Sequence, residues 1–533
     1  MSFPSFCFAL AQINPTVGDI AGNCERILKF YHKAKDEGVD MVITPESSVT
    51  GYSPEDLVFM QPFRQAAMEA VHKLAAATKN GPALIVGSPW DEDGDERAYN
   101  AAILMDEGRI RHIQYKTVLP NHGVFDERRI YKPGAGSVAT WRGIKLGILI
   151  CEDVWSPEAP QAMKDQGAEL LIAINASPYR AGKRERRCEV IRQTVMCHGL
   201  PFIYLNIVGG QDDIVFDGGS FILSGKAEEL AFMPEFKQSL MLFSGSPQLS
   251  AKLPQEETIW EAMKLGLADY VRKNGFSTVV LGLSGGIDSA LTAAVAVDAL
   301  GPQNVKGVLL PSPHSSDHSI SDAELSAKLL GIETFTIPIE TGMQALEAML
   351  DPVMKPGWMD QLHVGGNLQS RLRGMSLMAL SNQHGWMLLS TGNKSEVAVG
   401  YTTLYGDACG SYNVLKDLYK TQVYEMANWR NAQGPAIPQG SIEKPPSAEL
   451  APGQLDADQL PSYDVLDEIL YHHIEMRMGA EEIIARGYDE ATVRKVLKLV
   501  LASEYKRRQS CPGVKLSTMM FGKDRRFPMT NKF

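Results

Sequence analysis

The feature that most restricts the fold is a glycine-punctuated run in the second half of the chain. "STVVLGLS" (277–284) reads as a buried strand, "DSALTAAVAVDAL" (288–300) as a helix closed by Gly301, and "VKGVLLP" (305–311) as another strand. The helix "SDAELSAKLLG" and the strand "ETFTIPI" continue the alternation. A βαβαβ rhythm of this kind predicts a parallel sheet with helices on its faces. The turn between the first strand and its helix is the chemically informative part. Ser-Gly-Gly-x-Asp-Ser, opening a helix, offers backbone N–H groups and a positive helix end to an anion. Gly285 and Gly286 let the backbone approach oxygen atoms that a side chain would block. No lysine follows to meet a transferring γ-phosphate, so the cradle suits a pyrophosphate that stays bound and then leaves. Asp288 stands at the helix start, well placed to hold Mg²⁺ between phosphates.

The first half alternates apolar strands with helical patterns. "FCFALAQI", "MVITPES", "ALIVGSP", "KLGILICEDVW", "ELLIAINASP" and "PFIYLNIVGG" each run into a loop, several with polar residues at their C-terminal ends. Polar, Pro- and Ser-containing sequence around 242–258 marks a linker, so we expect a domain over 1–245, a linker over 246–258 and a second domain over 259–533. Residues 433–462, rich in Pro, Gly and Gln, read as a long loop before the terminal helices. A chain of 533 residues is too long for one core. Its net charge of −11 argues against a general nucleic-acid or anionic-membrane binder. A basic cluster over 506–532 is either a solvated tail or a phosphate-facing segment. Seven cysteines without a close CxxC pair suggest a reducing compartment. With no basic leader before the first apolar run and no apolar stretch of about 18 residues, the expected location is the cytoplasm, away from membranes.

The stretch Gly282, Leu283, Ser284, Gly285, Gly286, Ile287, Asp288 and Ser289 resembles the pyrophosphate-binding loop of the ATP-pyrophosphatase family. "LLSTGNKSEVAVGYTTLYGDACGSYNVLKDLYKTQV" (388–423) is similar to the NAD synthetase signature within that family. By that resemblance Thr391 contacts ATP, Lys420 lies near its phosphates, and Glu396 joins Asp288 at Mg²⁺ or touches the dinucleotide. "NLQSRLRGMSLMALSN" (367–382) matches the segment that contacts deamido-NAD, through Asn367 and Arg371 or Arg373. "KPPSAELAPGQLDADQLPSYDVLDEIL" (444–470) matches a loop that closes over the site, and Lys506 in "EYKRRQ" would reach the dinucleotide.

Three segments of the first half resemble the nitrilase (carbon–nitrogen hydrolase) superfamily: "TPESSVTGYSPEDL", "YKTVLPNHGVFDERRIYKPG" and "LGILICEDVW". The resemblance implies a catalytic set of Glu46, Lys116 and Cys151. The chemistry agrees: a thiolate attacks, a nearby lysine lowers its pKa, and a carboxylate moves the proton. Lys116 and a backbone N–H after Cys151 would hold the oxyanion. For glutamine the resemblance points to Ser177, Lys183 and His122, the last standing where the family usually has tyrosine.

Taken whole, the chain resembles the glutamine-dependent NAD synthetase family. That implies an α/β fold: an N-terminal four-layer α-β-β-α nitrilase-like sandwich and a C-terminal doubly wound parallel-sheet domain, adenine nucleotide alpha hydrolase-like. It implies an ATP-dependent ligase acting on deamido-NAD with L-glutamine as nitrogen donor, Mg²⁺ as cofactor and ATP as cosubstrate. The implied assembly is a homo-oligomer through synthetase-domain dimers, with small-molecule partners and no nucleic acid or membrane.

Overall fold

In the first half, period-two alternation sorts the strands' side chains between an inner and an outer layer. Phe8 and Leu10 pack in one buried cluster with Ile148, Ile150, Ile172 and Ile174, so this core lies between two sheets. Their neighbours point the other way. Ala9 and Ala11 pack with Ile27, Tyr31, Val71 and Leu74 of the helices Ile20–Asp36 and Gln61–Ala77. Leu149, Leu171 and Ala173 pack with Met163, Ile191 and Val195 of the helices Glu158–Asp165 and Lys183–His198. The layers are therefore α-β-β-α.

A computed structural model describes residues 3–92, 94–451 and 453–532. The chain divides into two compact units, Met1–Thr258 and Ile259–Phe533. One sheet of the first unit has six strands in the spatial order Ser239–Phe243, Phe8–Gln12, Met41–Ile43, Ala83–Trp90, Tyr99–Asp106 and Arg109–Tyr115. The other has seven, with Ile144–Ile150, Leu170–Asn175 and Phe202–Asn206 parallel at its centre. Tyr99–Asp106 and Arg109–Tyr115, absent from the reading of the sequence, form an antiparallel hairpin whose turn puts Glu107 and Gly108 at positive φ. Within 246–258, Gln248–Leu249 pairs with Glu229–Phe232, and a helix begins at Gln255.

The second unit has five parallel strands in the order Glu333–Thr336, Val305–Leu309, Val279–Gly282, Met387–Ser390 and Tyr412–Asn413. Val279–Gly282 and Met387–Ser390 are neighbours, yet the chain winds outward from them in opposite directions. Their C-terminal ends therefore frame the crevice where such sheets bind ligands. The stretch 433–462 is not wholly irregular: it contains the helix Gln439–Glu443 and a short turn of helix over Asp456–Asp458. Among the described residues no helix is long and apolar enough to cross a membrane. All seven cysteines are free.

Ile172 is fully buried between the two sheets of the first unit. Ile172→Ala should cost about 2–5 kcal/mol, read as a lower urea midpoint for hydrogen exchange in Leu170–Asn175; an unchanged midpoint would contradict this packing.

Candidate active sites

In the first unit, three strand ends deliver three charged or nucleophilic groups. Glu46 follows Met41–Ile43, Lys116 follows Arg109–Tyr115, and Cys151 follows Ile144–Ile150. Gly87 on the neighbouring strand makes room for the first of these. A Cβ there would fall 2.3 Å from the Ser47 nitrogen and 2.7 Å from the Glu46 Cα. Cys151 has φ +46°, the left-handed region that a non-glycine residue enters at a cost. Asp153 fixes that turn: one carboxylate oxygen accepts from the Ile150 N–H at 2.9 Å. Its other oxygen accepts from Thr117 N, Thr117 Oγ1 and Val118 N at 3.0, 2.7 and 2.8 Å, tying the cysteine turn to the lysine segment.

Lys116 is buried, its Nζ 2.8 Å from Glu46 Oε1 and 2.7 Å from Glu127 Oε1. Burial alone would pull the lysine toward neutrality, but Glu127 and Glu46 hold its pKa well above the ordinary value. Glu46 also accepts from Asn100 Nδ2 and from the Ala176 N–H, each at 2.7 Å. Glu127 accepts from Tyr52 Oη at 2.8 Å, and burial raises its pKa against the pull of Lys116. The expected thiolate at Cys151 is not what the surroundings favour. Burial and the charge of Glu46 push the thiol well above its ordinary pKa, outweighing the opposing effect of Lys116. The surroundings therefore favour the S–H form.

Around this set, Ser177 is held through its own oxygen, which accepts from Arg187 Nε at 3.2 Å. Arg187 is buried against Asp217, with nitrogen–oxygen distances of 2.9 and 2.8 Å. Lys183 Nζ stands 4.1 Å from the centre of the Trp155 ring. Burial, with Arg187 and Arg180, brings its pKa down to about 8. His122 is exposed, with Nε2 3.2 Å from Glu152 Oε1.

The second unit holds a cavity of about 720 Å³ at the crevice between the two central strands. All of 282–289 except Gly285 line it, together with Thr391, Glu396, Lys420, Asn367 and Lys506. Gly285 shapes the loop from behind: it has φ +78°, and a Cβ there would lie 2.1 Å from the Ser319 carbonyl oxygen. The helix Ile287–Leu300 starts without a side-chain cap, so its first N–H groups remain for an anion. Lys420 pairs with Asp288 and lies 3.7 Å from Glu396 Oε1. Burial and the neighbouring Asp288 raise the Glu396 carboxyl, and Lys420 opposes them.

The dinucleotide candidates separate. Asn367 lines the cavity and accepts from Thr403 Oγ1 at 2.8 Å, while Lys506 Nζ donates to the Gly400 and Thr402 carbonyls at 2.7 Å each. Arg373 also lines the cavity; Arg371 is not among the lining residues and donates to the Leu404 carbonyl at 3.2 Å. The segment after 440 also lines the cavity, through Ser441, Lys444 and Glu449 among others. Ser441 Oγ donates to the Gly285 carbonyl at 2.8 Å, and Glu449 accepts from Ser316 and Ser319 hydroxyls at 2.9 and 2.6 Å.

A carbon–nitrogen hydrolase family model matches residues 7–246, and an NAD synthase family model matches residues 259–510. The chain is 46% identical over 550 residues to a glutamine-dependent NAD(+) synthetase of Rhodobacter capsulatus, with 99% of each covered. It is 42% identical to that of a Synechocystis species, again over 99% of each. The chain belongs to the glutamine-dependent NAD(+) synthetase family. A solved structure of the Acinetobacter baumannii member, in complex with adenosine diphosphate, is 37% identical and superposes with a TM-score of 0.80, covering 99% of this chain and 98% of that one.

Several residues in contact with these groups carried no part in the reading of the sequence. Glu127 lies in "FDERRI", inside the quoted nitrilase-like segment but with no assigned part, and Asn100 lies on an unrecognised strand. Asn393 stands inside the quoted "TGNKSE" but carried no assigned part. Gly285→Ala should weaken nucleotide binding by about tenfold or more, as a loss of about 1.4 kcal/mol already would; an unchanged Kd by calorimetry would remove the loop from the site.

Proposed function

We propose that the chain converts deamido-NAD to NAD at the expense of ATP, with glutamine as nitrogen source: ATP, deamido-NAD, L-glutamine and water give AMP, pyrophosphate, NAD and L-glutamate. The observation that carries this reading is the occurrence in one chain of a buried Glu46–Lys116–Glu127 cluster beside Cys151 and a phosphate cradle backed by Asp288, Glu396 and Lys420. Similarity over the full length to named family members supports it.

In the first site Glu46 takes the Cys151 proton as the sulfur attacks the glutamine amide carbon. Glu46 and Glu127 occupy two of the three N–H donors of Lys116, leaving the third for the oxyanion. The C–N bond breaks, ammonia leaves with the proton from Glu46, and water hydrolyses the thioester to glutamate. Lys183 is the group suited to the substrate's carboxylate.

In the second site the nicotinate carboxylate attacks the α-phosphate of ATP, and the 284–289 backbone receives the departing pyrophosphate. Ammonia then displaces AMP from the mixed anhydride. The donor set fits a hard divalent ion: two close carboxylates whose mutual repulsion is relieved by the ammonium of Lys420. Asp288 and Glu396 would hold Mg²⁺, which supplies charge neutralisation on the phosphates. Lys420 offers its ammonium to the same oxygens. Family resemblance supports a homo-oligomer built on synthetase units. The free cysteines support a cytoplasmic setting.

Cys151→Ala should abolish NAD formation from glutamine and leave NAD formation from ammonium salts intact. Glutamine-driven synthesis persisting in that variant would refute the assignment of the first site. Lys183 carries its charge below about pH 8 and loses it above. The KM for glutamine should therefore rise as pH passes through 8, and the rise should vanish in Lys183→Arg, whose guanidinium stays charged. A flat profile in the unmodified protein would exclude Lys183 from glutamine binding.

A further inference from the structure

Asn393 is completely buried at the end of Met387–Ser390, where it begins the helix Lys394–Val399. Its Oδ1 accepts from the Glu396 N–H at 3.0 Å, and its own N–H donates to Glu396 Oε2 at 3.3 Å. That is a helix cap, and it uses only the oxygen of the side chain. The amide nitrogen does something a cap does not require. It crosses to the first turn of the helix Ile287–Leu300, which follows the neighbouring strand Val279–Gly282, and donates to Asp288 Oδ1 at 3.0 Å. The other Asp288 oxygen pairs with Lys420.

One residue thus touches both carboxylates across the crevice, Asp288 through its side-chain amide and Glu396 through its backbone N–H. We propose that Asn393 is a positioning residue that sets the spacing and facing of Asp288 and Glu396, and so determines how tightly the pair takes a divalent cation with a polyphosphate. This rests on the reading of that pair as the metal-holding groups. The chemistry of the position favours an amide over every other capping residue. Aspartate would cap as well, but would add a third negative charge beside a pair that already repels. Serine would cap, and glycine is tolerated at a helix start, but neither can span to Asp288.

Serine therefore separates the two roles. Asn393→Ser retains the cap and loses the strap, whereas Asn393→Gly loses the strap and the side-chain cap bond together at a helix start where glycine is tolerated. Mn²⁺ binding in the presence of pyrophosphate is read by electron paramagnetic resonance, below the melting temperature of each variant. The Mg²⁺ dependence of ammonia-driven synthesis is measured alongside. With strap and cation linked, Mn²⁺ affinity should fall about tenfold or more, in the range that lost supporting contacts to metal ligands produce. The Mg²⁺ concentration for half-maximal rate should rise by a similar factor, with a smaller change in kcat at saturating Mg²⁺. Unaltered Mn²⁺ affinity in both variants would overturn the proposal and leave Asn393 as a cap. Asp288→Asn is the control. If it too binds Mn²⁺ like the unmodified protein, the metal site itself falls, and the strap with it.

Discussion

A buried ammonium held between two carboxylates is the interaction on which both sites depend. Lys116 lies between Glu46 and Glu127, and Lys420 between Asp288 and Glu396. A third instance, Lys394 with Asp417 and Glu475, has oxygen–nitrogen distances of 2.9 and 2.5 Å. Removing such charges from water is expensive, and losing one partner leaves the others uncompensated at a cost of about 3–5 kcal/mol. Each cluster draws its members from separate segments of the chain, so it also fixes where those segments meet. One positive charge against two negative ones leaves surplus negative charge in a dry place. That surplus accompanies the raised Glu127 and Glu396 carboxyls.

The surplus has different uses in the two sites. Beside Cys151 it opposes a resting thiolate, which burial already disfavours. In the proposed reaction a carboxylate takes the thiol's proton when substrate arrives, and the lysine, held charged by its two carboxylates, meets the oxyanion. In the second unit the surplus faces a helix start with unfilled N–H groups. Positive dipole, ammonium and paired carboxylates together suit a phosphate chain that enters with its own cation. A glycine loop without the transfer lysine belongs in such a place, since the pyrophosphate leaves rather than being passed on.

Much of this was legible in the chain. The βαβ rhythm around 277–311 led to the parallel sheet, because it depends on local spacing, whereas the four-layer sandwich of the first half was legible only through resemblance. The Glu46, Lys116 and Cys151 set was legible only through resemblance, since the segments lie far apart in sequence. Burial was what the sequence could not show. It reverses the expected depression of the Cys151 pKa, and it makes Glu127, which had no part in the reading of the sequence, the second partner of Lys116. It also brings Arg373 to the cavity lining where Arg371 is absent, a distinction between two arginines a half-turn apart that spacing alone left open. Tyr99–Asp106 went unread because its alternation is masked by alanines and by polar residues that turn out to be buried, Asn100 among them.

The central claim is that the nicotinate carboxylate is adenylated and then aminated with glutamine nitrogen. It is tested most directly by following isotopes in one reaction. Deamido-NAD carrying ¹⁸O in the carboxylate, glutamine carrying ¹⁵N in the amide, and unlabelled ATP are supplied together, and the products are weighed by mass spectrometry. The account predicts ¹⁸O in AMP and ¹⁵N in NAD. Unlabelled AMP, or NAD without ¹⁵N, would contradict it.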